Sequence, residues 1–460
     1  MAVYHSPMTY AGVEQFCEPN FAINDKHLNG CSNLPVLYPS NDSQTNITLL
    51  LSDLGLATIK PMTADKNLWD AVYGTVPFDA SNLSFLTQNK ALNQRKFLEQ
   101  TETIFDERCS TFSSGNLTFI TQVQNNKAIP NLEKQILIHE RKKMNQCGDK
   151  IELIAIDPNW STTTRQYASY LNASILFYNS NYSAATKIYT VLTTVEDAWL
   201  KETSQYMLIR TSLNSAYATG VDKYGDVYLD NINQNLLKQF LDNINTYLKA
   251  YPSGQYVASA RGFMRRGFWL SKRQDLLVNE IVWQIKNPTS KFYNLEMSEL
   301  PAEIDRRVFE STSFDLKNLK DPFFLAIYDL MYMRESSSEN YHPISWAQLN
   351  TQKELFKTQP ELFQYLQAVH LYFVQNKAQE ALNYLPKEST HNKSHLQLSQ
   401  TFLRGQILEK IGQPQNAEEY WRQQLAQVKD SYQRGLFETA LSNHLAIKQD
   451  YSVRDIYPSQ

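Results

Sequence analysis

The sequence predicts an all-α protein built from paired helices, and three observations carry that expectation. Only 14 of the 460 residues are glycine, too few for a turn-rich β fold. Apolar residues recur at helical spacing along nearly the whole chain. From about Asp157 onward the spacing falls into a rhythm of two helices and a short turn, the mark of an internal repeat. A chain of this length is long for one compact unit and suits two or three domains or one extended repeat structure.

The opening stretch to about residue 45 is rich in Pro, Asn and Ser, has little periodicity, and is expected to wrap over its neighbours. Helical patterns follow over Thr45 to about Thr58 and again from Ala91 to Ile104. "GNLTFITQVQ" fits either a strand or a short helix. Asn131 to Met144 predicts an amphipathic helix with its charges facing water. Residues 1–156 are thus read as a mostly helical, partly irregular N-terminal region, and 157–460 as a helical repeat region with an irregular insert at about 287–351. Within that insert, "DPFFLAIYDLMYMRE" predicts a helix capped by Asp321, with Pro322 at its first position.

Four cysteines, Cys17, Cys31, Cys109 and Cys147, all lie in the N-terminal region. An even number confined to one region implies two disulfides in an exported protein. The pairing Cys17–Cys31 and Cys109–Cys147 closes the shorter loops; four reduced thiols are the alternative. No C-x-x-C pair or finger-spaced histidine supports zinc. Lys+Arg 44 against Asp+Glu 47 gives a net charge of -3 and no electrostatic footprint for nucleic acid or an anionic membrane. No apolar run reaches the roughly 18 residues of a membrane helix; the strongest, "ITLLLSDLGLATI", is broken by Asp53 and reads as a buried helix. "MAVYHSPMTY" has neither a basic nor an apolar signal region. The chain is expected to be cytosolic or to have lost a signal peptide, with or without a lipid anchor.

Three segments share one spacing of residues. Ala173, Ser180, Ala185 and Tyr189 recur as Val369, Asn376, Ala381 and Leu385, and as Gly405, Gly412, Ala417 and Trp421. A small residue on the first helix lets the second pack closely, the turn residue accepts a positive φ, and the large residue one turn after the Ala fills the groove. This pattern resembles the tetratricopeptide repeat family, best at Gly405–Trp421, over roughly Asp157 to Lys448 with an interruption. "YLKAYPSGQYVASA" is also similar to the repeats of bacterial envelope assembly lipoproteins, where a helix ends in Tyr-Pro and a small-residue helix follows. The resemblance implies a right-handed α-solenoid whose first helices line a concave binding face, and it implies no activity.

Arg261 and Arg265 stand four apart on one helix face, with Arg266 turned away. Their planar forks could clamp a carboxylate of a peptide, and Arg210 in the preceding first helix would extend the row. The alternative is pairing with acidic residues of neighbouring helices, or stems packed on Phe268 or Tyr256. Phe177 and Phe373 fall one turn after the small positions, and Ser174, His370 and Gln406 just after them, where an extended peptide or partner helix would lie. Here the alternative is that the phenylalanines form the core between repeats and His370 is a satisfied core histidine. His391 and His395 sit in a loop entering a helix and predict no metal site. Signatures of nucleophile elbows, phosphate loops, zincins and dinucleotide folds are absent, so neither catalytic residues nor a cofactor are expected.

The expected function is therefore a non-catalytic periplasmic or cell-envelope scaffold that binds a protein or peptide along its concave face. A hydrolase of envelope polymers, with its site between the N-terminal region and the solenoid, is one alternative; a cytosolic adaptor with reduced cysteines is another.

Overall fold

The computed structural model describes residues 34–59, 83–85, 112–144, 151–222, 227–295, 299–310, 314–334, 342–387, 393–412 and 414–448. The chain divides into two compact units, one formed by Met1–Leu86 with Glu296–Gln460 and the other by Thr87–Leu295. The boundary expected at 156/157 falls inside the second unit.

After an irregular segment at 34–42 comes α1 (Ser43–Asp53), whose first turn is capped by Asp42 Oδ1 accepting from the Gln44 N–H at 2.7 Å. Thr45 to Leu51 are all buried, so α1 is a core helix. It is shorter than the 45–58 pattern predicts. Gly55 turns the chain with φ 73°, and β1 (Ala57–Ile59) then pairs antiparallel with β2 (Leu83–Phe85), Ile59 facing Leu83. The β-branched Thr58 and Ile59 favour the strand over another helical turn. This pair is the one sheet among the described residues.

The second unit is a run of helical hairpins. The stretch left open between strand and helix lies within α2 (Phe112–Asn125), which buries Phe119 and Val123 on one face. Then follow α3 (Asn131–Lys143), α4 (Thr162–Tyr178), α5 (Tyr182–Leu192), α6 (Ala198–Tyr217), α7 (Gln234–Ala250), α8 (Val257–Leu270) and α9 (Gln274–Lys286). Each helix packs on the next in the chain, and α4 also touches α6, as α6 touches α8. Ser161, Asn181, Asp197 and Asn233 cap α4 to α7 through their side chains. The α4–α5 turn is made by Ser180 at φ 62°, closed by the Asn181 N–H donating to the Leu176 carbonyl at 2.8 Å. Ala173, Ala185 and Tyr189 are wholly buried beside it, as their spacing predicts. The α8–α9 turn is the same device: Lys272 takes φ 55° and the Arg273 N–H donates to the Phe268 carbonyl. Sequence reasoning missed this turn, because lysine carries no preference for positive φ.

The chain returns to the first unit with α10 (Leu300–Ile304), which runs on into a π-helical turn at Asp305–Phe309. It continues through α11 (Pro322–Met331), capped by Asp321 with Pro322 leading as expected, and α12 (Trp346–Thr351). α13 (Pro360–Val369) is prolonged by a second π-helical turn, His370–Val374. α14 (Ala378–Ala381), α15 (His395–Lys410), α16 (Pro414–Gln427) and α17 (Ser431–Ile447) complete the unit. Asn376 (φ 55°) and Gly412 (φ 74°) make the two turns that the repeat spacing assigns to them. Trp421 is fully buried and lies directly over Gly405.

α1 packs on α10, α11 and α15, and the segment before it is held by α13, α15 and Arg334. Leu34, Val36, Leu37, Tyr38 and Asn41 are all buried. Asn41 accepts from the Leu34 N–H and donates to the Leu34 and Val36 carbonyls, while Asn46 pairs with both backbone groups of Tyr38. Ser399 accepts from the Leu37 N–H at 2.7 Å, and the Tyr365 hydroxyl donates to the Leu37 carbonyl. Arg334 donates to the carbonyls of Pro39 and Asn41. The wrapping expected of the N-terminal stretch is thus present over 34–42, held by side-chain-to-backbone hydrogen bonds; the four cysteines lie outside the described residues.

Two buried carboxyl groups give this unit a pH dependence. Burial raises the pKa of Asp329 to about 8 against a lowering hydrogen bond from Gln352, and its Oδ2 has no partner. Burial, with Asp42 and Glu310 nearby, raises Asp305 to about 8 as well. The folded state therefore keeps protons that the unfolded chain, near 3.8, has lost. Their stabilising effect is complete below that value and fades as pH rises to about 8. Buried His370 and His395 shift downward and act only on the acid side of 6.5, where they have the opposite sign. Between pH 6.5 and 8 each aspartate is expected to remove on the order of 2 kcal/mol. Denaturant melts of the native chain at pH 6.5 and pH 8.5 should show the loss, and Asp329→Asn should shrink it; an unchanged difference in that variant would contradict the assignment.

Candidate functional site

In the second unit α4, α6 and α8 lie parallel and side by side. Trp199 meets Tyr167 and Tyr170, and one helix length on, the Arg210 guanidinium stands 5.2 Å from the Phe177 ring. Between α6 and the start of α8 three hydrogen bonds share one sequence separation of 53: Gln255 N–H to Glu202, Thr203 to Tyr256, and Tyr206 to Ser259. On the same seam Tyr206, one turn before Arg210, meets Phe263 of α8 at 6.3 Å.

A compartment of aromatic and cationic side chains fills this seam. Tyr206 stacks on Tyr256 at 4.3 Å, and Tyr170 is ringed by Phe119, Tyr189 and Trp199. Arg210, 5% exposed, sits among Tyr170, Tyr178, Tyr189 and Tyr206. Burial pushes Tyr170, Tyr189 and Tyr256 upward, the last to about 12, so all three phenols stay protonated near neutral pH. Arg141 enters from α3 at 4% exposure, against the expectation that the charges of this helix face water. It reaches the Met144 sulfur and the Phe112 carbonyl and lies over the Phe112 ring at 5.1 Å. Arg141 carries no sequence signal, since Leu137 and Arg141 stand four apart and only their shared face decides burial.

The three arginines of α8 are engaged by their own unit. Arg261 makes a two-pronged pair with Glu280 of α9 at 2.8 and 3.1 Å and covers the Trp283 ring at 3.6 Å. Glu280 also accepts from Gln284, which in turn takes the Asn294 N–H, while Arg265 donates to Asn294 Oδ1. Arg266 turns the other way, onto the Tyr217 ring at 4.6 Å. Arg261 and Arg265 join α8 to α9 and to the loop after it, and the Arg261–Glu280 pair is of the kind the sequence alternative describes. Phe177 is wholly buried and belongs to the core of the seam.

Phe373, His370 and Gln406 belong to the first unit. The groove there is filled by the chain itself: Tyr38 meets Phe373 edge-on at 5.0 Å and its hydroxyl pairs with Gln406. His370 is buried, bonded to the Ile344 carbonyl at 2.7 Å and to Gln375. His391 lies outside the described residues. His395 contacts Ser52 and the Pro35 carbonyl, and its N–H meets Asp53; burial raises the pKa of Asp53 and lowers that of His395. Among the described residues no His, Cys, Asp and Glu cluster is placed to hold a metal, and no helix is long and apolar enough to cross a membrane.

The chain matches no family model, no curated protein and no solved structure.

Proposed function

We propose that this protein is a non-catalytic, tetratricopeptide-like scaffold of the cell envelope that binds an extended peptide or a partner helix along the first helices of its repeats. The observation that carries the reading is the parallel packing of α4, α6 and α8, which sets rings and hydroxyls from three successive hairpins into one seam. Tyr170, Trp199, Tyr256 and Phe263 of this seam are only partly buried, and they offer apolar area together with hydroxyls that bond a peptide backbone. The chain already uses this chemistry on itself, since Asn172 of α4 pairs with both the N–H and the carbonyl of Ile154 in the extended segment before it. Two disulfides among Cys17, Cys31, Cys109 and Cys147 belong to the same proposal, as does export from the cytosol.

The test is a titration of the full-length chain with peptides selected from a random library, read by fluorescence polarisation. Micromolar binders are expected, weakened at least tenfold by Phe263→Ser on α8 while the far-UV spectrum stays native. Failure to select any binder, or binders indifferent to α8, would remove the scaffold reading.

A further inference from the structure

The charge of Arg141, in this seam, has no carboxylate counterpart among the described residues. It is 4% exposed, and its Nε has no hydrogen-bond partner. The remaining guanidinium nitrogens reach only a thioether at 2.8 Å and a carbonyl at 3.3 Å. Among the described residues no carboxylate oxygen stands within ion-pair distance of it. Its place in the last turn of α3 and the ring of Phe112 favour the charge, but a helix end and one π face offset only a fraction of the desolvation of a guanidinium. A second observation points to the same place. Tyr170 is only partly buried and its hydroxyl makes no hydrogen bond with any described residue, yet its environment raises its pKa well above the phenol value, with Tyr178, Tyr189, Tyr256 and Arg141 all within electrostatic reach.

We propose that Arg141, with the Tyr170 hydroxyl, forms a buried site for the carboxylate of an organic acid. The guanidinium presents a planar fork to two carboxylate oxygens, and the phenol adds one donor. Phe112, Tyr178 and Phe177 stand edge to face around the two arginines, so the remainder of the ligand meets rings. A planar two-oxygen anion matches this donor set better than a tetrahedral phosphate, which asks for more donors. The carboxylate comes either from a free small acid or from the C-terminus of a peptide, and only the second source rests on the scaffold reading.

The probe is 4-fluorobenzoate, observed by fluorine NMR with the full-length protein in chloride buffer. Saturable line broadening is expected, relieved by acetate and not by equimolar inorganic phosphate. Arg141→Met should abolish the broadening, and Tyr170→Phe, which removes a single oxygen, should weaken it several-fold. Anion binding also raises the melting temperature of the native chain, and Arg141→Met should lose that rise. Two synthetic peptides that differ only in a free or amidated C-terminus then separate the sources: competition by the free acid alone assigns the site to peptide ends, and competition by neither assigns it to a small acid. No saturable broadening with the native chain overturns the proposal. So does equal broadening with Arg141→Met, or equal competition by the amidated peptide. Since the native-chain and Tyr170→Phe arms need no change at Arg141, the test survives a variant that does not fold. Loss of peptide binding with fluorobenzoate binding intact would sink the scaffold reading and leave this site standing.

Discussion

Gly405→Ala is expected to cost the first unit about 3 kcal/mol, even though the substitution improves helix propensity by about 1 kcal/mol. A Cβ at this position of α15 would lie 2.1, 2.2 and 2.5 Å from three atoms of the Trp421 ring. The indole has nowhere to go. Its Nε1–H donates to Glu409 at 2.8 Å, and Phe402 and Phe437 close on it at 5.7 and 6.0 Å. The helix must move instead, which opens the α15–α16 packing along its length. Gly115 in α2 supplies the contrast, because a Cβ there meets nothing within 4 Å. Gly115→Ala should therefore stabilise the chain by up to about 1 kcal/mol. Urea melts followed by tryptophan fluorescence distinguish the two, and a neutral Gly405→Ala would contradict the packing described.

Asn41→Ala is expected to be comparably damaging, at about 3 to 5 kcal/mol. The side chain is wholly buried and serves three backbone groups of the segment before α1. Removing it leaves the Leu34 N–H and the Leu34 and Val36 carbonyls buried without their partner. Each such group costs roughly 1 to 3 kcal/mol, partly relieved where water can enter. The loss should reach beyond the segment. Leu37 and Tyr38 bridge to Tyr365, Ser399 and Gln406, so α13 and α15 lose the same anchor. Amide hydrogen exchange in both helices should accelerate together, and protection that persists at Ser399 would show that α15 does not depend on the segment.

What the sequence made legible is local. Helix spacing, the Asp321–Pro322 start and the turns at Ser180, Asn376 and Gly412 rest on properties of single residues or of neighbours within one turn. The small-residue positions Ala173 and Gly405 were legible for the same reason: a close helix approach demands them wherever the hairpin lies. Tertiary choices were not. Nothing near Asn41 announces that its amide serves a segment packed on helices more than three hundred residues away. The division into units also escapes a linear reading, because the two stretches that build the first unit are separated in sequence by all of 87–295. At the candidate site, the spacing of Arg261 and Arg265 gave the shared face, but Glu280 and Asn294, which occupy that face, come from the second helix of the hairpin and the loop after it. Arg141 was read as solvated because an amphipathic helix hides which of its charges the neighbouring hairpin covers.

The central claim is that residues 34–59 complete the C-terminal helical unit and that 87–295 folds separately. It is tested most directly with three fragments, 87–295, 296–460, and 296–460 mixed with a synthetic peptide of 34–59, each followed by calorimetry. The account predicts a cooperative transition for 87–295 alone. It predicts none for 296–460 alone, and a cooperative transition restored by the peptide in proportion to its concentration. A native-like transition in 296–460 without the peptide would contradict it, because the buried hydrogen bonds from Tyr365, Ser399 and Arg334 would then be dispensable.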